Sequence, residues 1–262
     1  MTRTFRAELL KLRRRRILIA ATLGALAFAV ITTIAVLLSA KPAGVGPPGR
    51  APTVESLGQA GGVAQAFSTG ASFVGILVLV LFIANFAGEF SQGTFRTLLM
   101  RQPQRIGLLA GKMAALLVFA AGLLALAEVL SVCVSLAFAP TQDISTTSWL
   151  TIDGLGEAAS SYATALLFVT AWASLGAALA VLVRSIPIAL GIGIAWSGPI
   201  EHLTEDFWAT AAHWFPGLLL EAFAVGVNTN ASSSHALLVL CIYVATAATA
   251  AALTFKRRDL TA

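Results

Sequence analysis

The sequence predicts an all-α, polytopic membrane protein with six transmembrane helices. Of its 262 residues, 58% are hydrophobic and 11% are charged, whereas a soluble domain carries roughly 25% charged residues. Five or six apolar runs are long enough to cross a hydrocarbon layer of about 30 Å, which takes about 20 helical residues. Backbone groups in lipid must bond within their own segment, so these runs are expected to be helices.

Six spans follow from the positions of the apolar runs. They are predicted at 17–38, 67–87, within 106–138, at 160–183, 186–200 and 235–255. The fifth is short and is interrupted by proline and glycine. Because the stretches between the runs are all short, we expect a single transmembrane domain over 1–262 and no soluble domain.

The basic residues predict the orientation. Of the 17 lysines and arginines, only Lys41 and Arg50 fall outside the two termini and the connections after the second and fourth spans. Lysine and arginine concentrate on the cytoplasmic side of membrane proteins. We therefore expect a multi-pass protein of the cell inner (cytoplasmic) membrane with both termini cytoplasmic.

Residues 1–16 precede the first span and are amphipathic. Phe5, Leu9 and Leu12 form an apolar stripe among basic residues that include Arg13 and Arg14. This pattern is typical of a helix that lies on an anionic membrane surface. The alternative is a simple charged anchor.

The connection at 88–105 is the long polar stretch on the basic side. A helix over about 91–102 would place Phe95, Leu98 and Leu99 on one face, and Pro103 would end it. Glu89 is expected at a helix N-terminus, where a carboxylate is favourable. This pattern indicates a docking element for another protein, and the alternative is an ordinary loop whose charges only set the orientation.

Few residues suit catalysis or metal binding. Glu128 is the only acidic residue inside a predicted span, and an ionisable group in lipid is a candidate for function. It could lie at the outer interface or be buried. No histidine or cysteine spacing matches a metal site, and no phosphate-binding G-x-x-x-x-G-K-[ST] loop occurs. We therefore predict a chain that is not an enzyme and holds no metal.

The segment at 201–234 follows the broken fifth span. It contains Trp208, Trp214 and Pro216 and is too polar to cross the bilayer. Aromatic rings favour the membrane interface. We expect these three residues to form a gate at the outer mouth.

Several motifs together resemble those of a known family. They are Arg6-Ala7-Glu8-Leu9-Leu10-Lys11-Leu12-Arg13-Arg14, Gly88-Glu89-Phe90, Gly93-Thr94-Phe95-Arg96, Arg105, Gly111-Lys112 and Arg257-Arg258-Asp259-Leu260. With six spans over the whole length, the chain resembles the permease subunits of type-2 ATP-binding-cassette (ABC) exporters. That group includes peptide-antibiotic immunity and multidrug export systems.

The resemblance implies a role for each polar segment. Residues 1–16 would form an elbow helix, 88–105 a coupling helix gripped by a separate ATPase, and 201–234 short re-entrant helices at the outer face. The implied coupling residues are Glu89, Phe90, Gly93, Thr94, Phe95, Arg96, Arg101 and Arg105.

The resemblance also implies the activity and the partners. The chain would move a small amphipathic molecule, peptide or antibiotic outward while a partner ATPase, which holds ATP and magnesium, hydrolyses ATP. This chain itself would carry no cofactor. Its partners would be the ATPase, a second permease copy or paralogue, and membrane lipids, with no nucleic acid. The alternatives are a secondary transporter, a membrane anchor subunit of another complex or, with fewer suitable residues, an intramembrane enzyme.

Overall fold

Long apolar helices make up most of this protein. The structure, a computed structural model, describes residues 2–42, 52–95, 100, 104–208, 210, 213–219 and 233–257. Within these residues, helices form the regular structure, together with one isolated bridge between Lys41 and Thr53. Five helices of the described part of the chain are long and apolar enough to cross a membrane, so the chain is a membrane-embedded helical protein.

Nine α-helices lie within the described ranges and are numbered in chain order. They are α1 (Thr2–Leu12), α2 (Arg15–Ser39), α3 (Val54–Leu57), α4 (Gly62–Ser91), α5 (Arg105–Phe138), α6 (Ile152–Val183), α7 (Ile186–Ala195), α8 (Glu201–Phe207) and α9 (Ser233–Arg257). A 3₁₀ turn at Ala139–Gln142 follows α5, and a π-helical turn at Trp196–Ile200 joins α7 to α8.

Two compact units divide the chain. The first comprises Met1–Leu12, Val74–Phe119 and Phe168–Ala262, and the second comprises Arg13–Phe73 and Ala120–Leu167. Helices α4, α5 and α6 contribute residues to both. The prediction of a single transmembrane domain over 1–262 stays a prediction.

A small core holds the connections of the second unit together. Trp149 is fully buried, and its indole Nε1–H donates to the Leu57 carbonyl at 2.8 Å. The Ser148 hydroxyl donates to the Gly58 carbonyl at 2.7 Å. Buried polar groups need such partners, so these bonds fix the connection after α5 against α3.

Hydroxyl pairs join the helices of the second unit. Thr33 of α2 lies 2.7 Å from Ser131 of α5, and Ser68 of α4 lies 2.7 Å from Ser161 of α6, measured between hydroxyl oxygens. Small hydroxyl residues commonly hydrogen-bond between membrane helices. These pairs fix the rotation of the four helices about their own axes.

Small residues allow close helix packing in the first unit. A Cβ atom on Gly176 of α6 would lie 2.8 Å from the carbonyl oxygen of Leu79 in α4. Only glycine fits at this distance, because backbone cannot move aside as a side chain can. Close backbone approach at small residues is a general means of packing membrane helices.

Two predicted spans differ in length from the observed helices. Helix α4, which contains the second predicted span, continues to Ser91, beyond the predicted end of that span at 87. Helix α6, which contains the fourth predicted span, begins at Ile152 rather than at 160. The Thr151 hydroxyl accepts the Gly154 N–H at 3.2 Å and caps the first turn of this helix. Hydropathy marks the lipid-crossing part of a helix, whereas caps and turns mark its ends.

The region of the fifth predicted span is helical but irregular. Helix α7 begins after Arg184, which has a positive φ of 58°, and it passes without a break through the π-turn into α8. Pro199 lies inside the π-turn and cannot donate a backbone hydrogen bond, which is a usual cause of a local irregularity in a helix.

Candidate functional site

Four charged side chains from three helices, three of them buried and the fourth, Lys11, exposed, form a group here called the charge cluster. Its members are Glu8 and Lys11 of α1, Glu89 of α4 and Lys112 of α5. The Lys112 Nζ lies 2.5 Å from Glu89 Oε1 and 3.9 Å from Glu8 Oε2. The Lys11 Nζ lies 3.2 Å from Glu89 Oε1 and 3.7 Å from Glu8 Oε2.

Burial makes this cluster energetically significant. The side chain of Lys112 is 1% exposed and those of both glutamates are 10% exposed. A buried ion costs several kcal/mol to dehydrate, which is offset only by a well-placed opposite charge. The two lysines balance the two glutamates, and the Lys112 ammonium also lies 5.2 Å from the centre of the Phe86 ring, an attractive arrangement.

Aromatic rings form a second group at the end of α4. The ring centroids of Phe90 and Phe95 lie 4.4 Å apart, and that of Phe255 in α9 lies 6.0 Å from Phe90 and 5.4 Å from Phe95. The Arg184 guanidinium stands over the Phe90 ring at 5.3 Å. Buried aromatic contacts of this kind contribute beyond their area, so they attach the start of the α4–α5 connection to α9.

The other end of the α4–α5 connection is also attached to α9. The Arg105 guanidinium donates to the carbonyls of Phe255 and Lys256 at 3.3 and 3.1 Å. Both carbonyls belong to the last described turn of α9. The predicted coupling segment is therefore anchored at both ends.

The structure brings several predicted coupling residues together but changes the role of two positions. Glu89 lies in the last turn of α4, so its expected place at a helix N-terminus was wrong. The expected helix from about Ser91 was also placed too early: α4 ends there, Gly93 turns the chain with a φ of 68°, and helix resumes at Thr94. The Thr94 hydroxyl donates to the Glu89 carbonyl at 3.1 Å.

Some of the predicted coupling residues fall outside the described residues. These are Arg96 and Arg101, together with Leu98, Leu99 and Pro103, which were expected to shape the segment. The buried residues Glu89 and Phe95 face their own protein. A coupling role for these two residues, which stays a prediction, would consist of supporting the connection.

The amphipathic N-terminal helix is present as α1, and its protein-facing side differs from the predicted stripe. Thr4, Glu8 and Leu12 are buried, whereas Phe5 and Leu9 are half-buried. Arg13 and Arg14 are exposed between α1 and α2. A polar residue, Glu8, thus lies at the centre of the buried side, because it meets Lys112.

Glu128 is half-buried in α5, in the second unit. Its Oε1 has no hydrogen-bond partner among the residues that the structure describes. Ser131, one turn further along α5, is bonded to Thr33. Glu128 therefore stands next to a polar contact between α2 and α5.

The predicted outer gate residues lie in one aromatic region of the first unit. The Phe215 ring lies 6.1 Å from Trp208 and 5.8 Å from Trp196, and Trp214 lies 5.5 Å from His235, between centroids. Trp208 and Trp214 are each about half exposed, while Pro216 is buried.

Sequence reasoning missed the acid that holds this region. Glu201 is fully buried, and its Oε2 accepts the Leu218 N–H at 2.9 Å, which ties Glu201 to the helical residues 216–219. Its signal was an acidic residue directly after an apolar stretch. Among the described residues, no three histidine, cysteine or acidic side chains lie together as metal ligands would.

A family model described as a protein of unknown function, DUF2705, matches residues 50–261. The chain belongs to this family. A comparison with curated proteins found no match. The matched range includes Glu89, Lys112 and Glu201, whereas α1, with Glu8 and Lys11, precedes it.

Removing one member of the charge cluster should destabilise the protein more than removing a balanced pair. Lys112→Met leaves two glutamates facing Lys11 alone, and we expect a loss of about 3–5 kcal/mol. Lys112→Met combined with Glu89→Gln keeps the remaining charges balanced and should cost less than Lys112→Met alone. Thermal unfolding in detergent measures both.

Lys41→Met is the matched control, because Lys41 is exposed and its loss should leave the melting temperature within about a degree of wild type. The charge balance would be contradicted if the loss of stability in the double variant equalled the sum of the losses in Lys112→Met alone and Glu89→Gln alone.

Proposed function

We propose that this chain is the transmembrane permease subunit of an ATP-driven ABC exporter. It would move a small amphipathic molecule, peptide or antibiotic outward, and a separate ATPase subunit would hydrolyse ATP. The observation that carries the proposal is that the α4–α5 connection is anchored at both ends. The charge cluster and the aromatic group fix one end, and Arg105 fixes the other.

Anchoring is what a coupling element requires. A partner that pushes on a loosely attached loop displaces only the loop, whereas a push on a segment fixed to packed helices moves those helices with it. Here the attachments reach α1 through Glu8 and Lys11, α5 through Lys112, and α9 through Phe255. A push on residues 92–104 would be transmitted to all three helices and to α4.

The proposed topology has six spans, with both termini cytoplasmic in the inner membrane. The placement of basic residues supports the orientation. For the fifth span, the helical path through 186–200, which extends about 22 Å at about 1.5 Å per residue and continues without a break into α8, supports a crossing that ends at the outer face. Residues 201–234 would lie at the outer face, with Trp208, Trp214 and Pro216 closing the mouth.

The proposed complex contains two permeases and two ATPases. The second permease would be another copy or a paralogue, and membrane lipids would surround the pair. ATP and magnesium would bind the ATPases, which supply the energy of the cycle. The role of this chain is to convert movement of the α4–α5 connection into rearrangement of its spans.

Co-purification tests the partnership directly. The tagged chain, isolated in mild detergent from the membranes of its native host, should carry vanadate-sensitive ATP hydrolysis. Phe95→Leu removes the ring that attaches the connection to α9, and we expect it to lower the ATPase activity per permease about tenfold, a change equivalent to about 1.4 kcal/mol.

Phe168→Leu is the matched control, since Phe168 is buried to the same 1% and lies in α6 away from the connection. It should retain the ATPase. A wild-type chain that purifies without ATP hydrolysis would contradict the proposal, and substrate transport by that chain alone would favour the secondary transporter.

Single cysteines test the proposed topology. In a background with Cys133 and Cys241 replaced by alanine, Gln59→Cys should react with a membrane-impermeant maleimide on intact cells, and Gln92→Cys should react only after lysis. Both glutamines are exposed in the structure, so reactivity reports the side of the membrane. Labelling of Gln92→Cys on intact cells would contradict the orientation.

A further inference from the structure

A cavity of about 250 Å³ lies in the first unit beside α6, α7 and α9. Its walls are mostly leucine, isoleucine, alanine and glycine. Six further lining residues are aromatic, polar, acidic or proline. Those residues are Trp172, Trp196, Ser197, Glu201, Pro216 and Tyr243. This volume is about that of eight water molecules in the liquid. It is larger than the packing defects that are usual in protein interiors.

Three aromatic side chains line the cavity, and one acid, Glu201, lies fully buried in its wall. Trp172, Trp196 and Tyr243 come from α6, the π-turn and α9, while Glu201 begins α8. The hydrogen bond from Leu218 N–H holds the Glu201 carboxylate in its place. The irregular π-turn brings Trp196, Ser197 and Glu201 to the same wall, and such turns are frequent at functional sites.

This set of groups matches one class of ligand. Aromatic faces attract cations, and quaternary ammonium groups are recognised by aromatic cages. A carboxylate adds opposite charge, which acts strongly where water is excluded. The aliphatic wall suits an apolar substituent, and an anionic ligand would be repelled by Glu201.

We propose that this cavity binds a small lipophilic organic cation, with its ammonium group against the rings of Trp196 and Tyr243, while the buried Glu201 carboxylate supplies opposite charge from behind the cavity wall. The volume lies just below the range of drug-sized pockets, so the ligand is expected to be small. Binding does not require an ATPase, whereas a role of this cation as exported substrate rests on the proposed function.

Two probes of equal shape distinguish binding that depends on the positive charge from binding that only buries apolar surface in the cavity. Phenyltrimethylammonium carries the positive charge, and tert-butylbenzene is its neutral isostere. Isothermal titration of the purified chain in phosphatidylcholine nanodiscs, with empty nanodiscs subtracted, should give saturable binding of the cation that is about tenfold tighter than that of the isostere.

Substitutions then assign the charge recognition to this cavity. Glu201→Gln keeps an oxygen that can accept the Leu218 N–H but removes the charge, and it should weaken the cation about tenfold without changing the isostere. Glu157→Gln, at an exposed acid outside the cavity, should bind both probes as wild type does. Trp196→Leu should also lower the affinity for the cation. If Glu201→Gln fails to fold, the affinity of Trp196→Leu tests the proposed site.

Three results would overturn the inference. They are the absence of saturable cation binding, equal affinity for both probes, and cation binding that survives in both Trp196→Leu and any folded Glu201→Gln protein. Because no ATPase takes part in this titration, failure of the export proposal would leave these results unaffected.

Discussion

The attraction between Lys112 and Glu89 is the interaction on which the other contacts at the end of α4 depend. An ammonium that is 1% exposed is tolerated in an apolar helix only with carboxylates beside it. Satisfying Lys112 brings α1 to the site, because Glu8 supplies the second carboxylate and Lys11 balances the pair. The N-terminal helix is therefore a structural partner of α4 and α5.

Hydropathy and residue spacing were sufficient to predict most of the helices. The first, third and sixth predicted spans match α2, α5 and α9 closely because long apolar runs leave no alternative to helix in lipid. Phe95, which was expected on the apolar face of a helix, is buried against Phe90 and Phe255. The ends of α4 and α6 were misjudged, since Gly93 and Thr151 act through turn and cap geometry that hydropathy does not register.

The charge cluster could not be predicted from local patterns. Glu8 is separated from Lys112 by 104 positions, and the sequence around each residue does not indicate that the two are in contact. Lys112 looked like one more orienting charge, and Glu89 like a helix-terminal acid. One general signal was present: a lysine and a glutamate within otherwise apolar helices require opposite charges. Glu201 carried a different signal, an acidic residue directly after an apolar stretch, and the backbone N–H of Leu218 that it accepts cannot be read from side-chain chemistry.

Hydrogen exchange of α1 measures most directly whether the charge cluster holds this helix in place. In wild type, amides of residues 2–12 should exchange slowly, because opening the helix separates Glu8 from Lys112. Lys112→Met should speed their exchange about tenfold or more, and the balanced combination of Lys112→Met with Glu89→Gln should stay closer to wild type. Exchange of residues 2–12 at the wild-type rate in Lys112→Met would contradict the account.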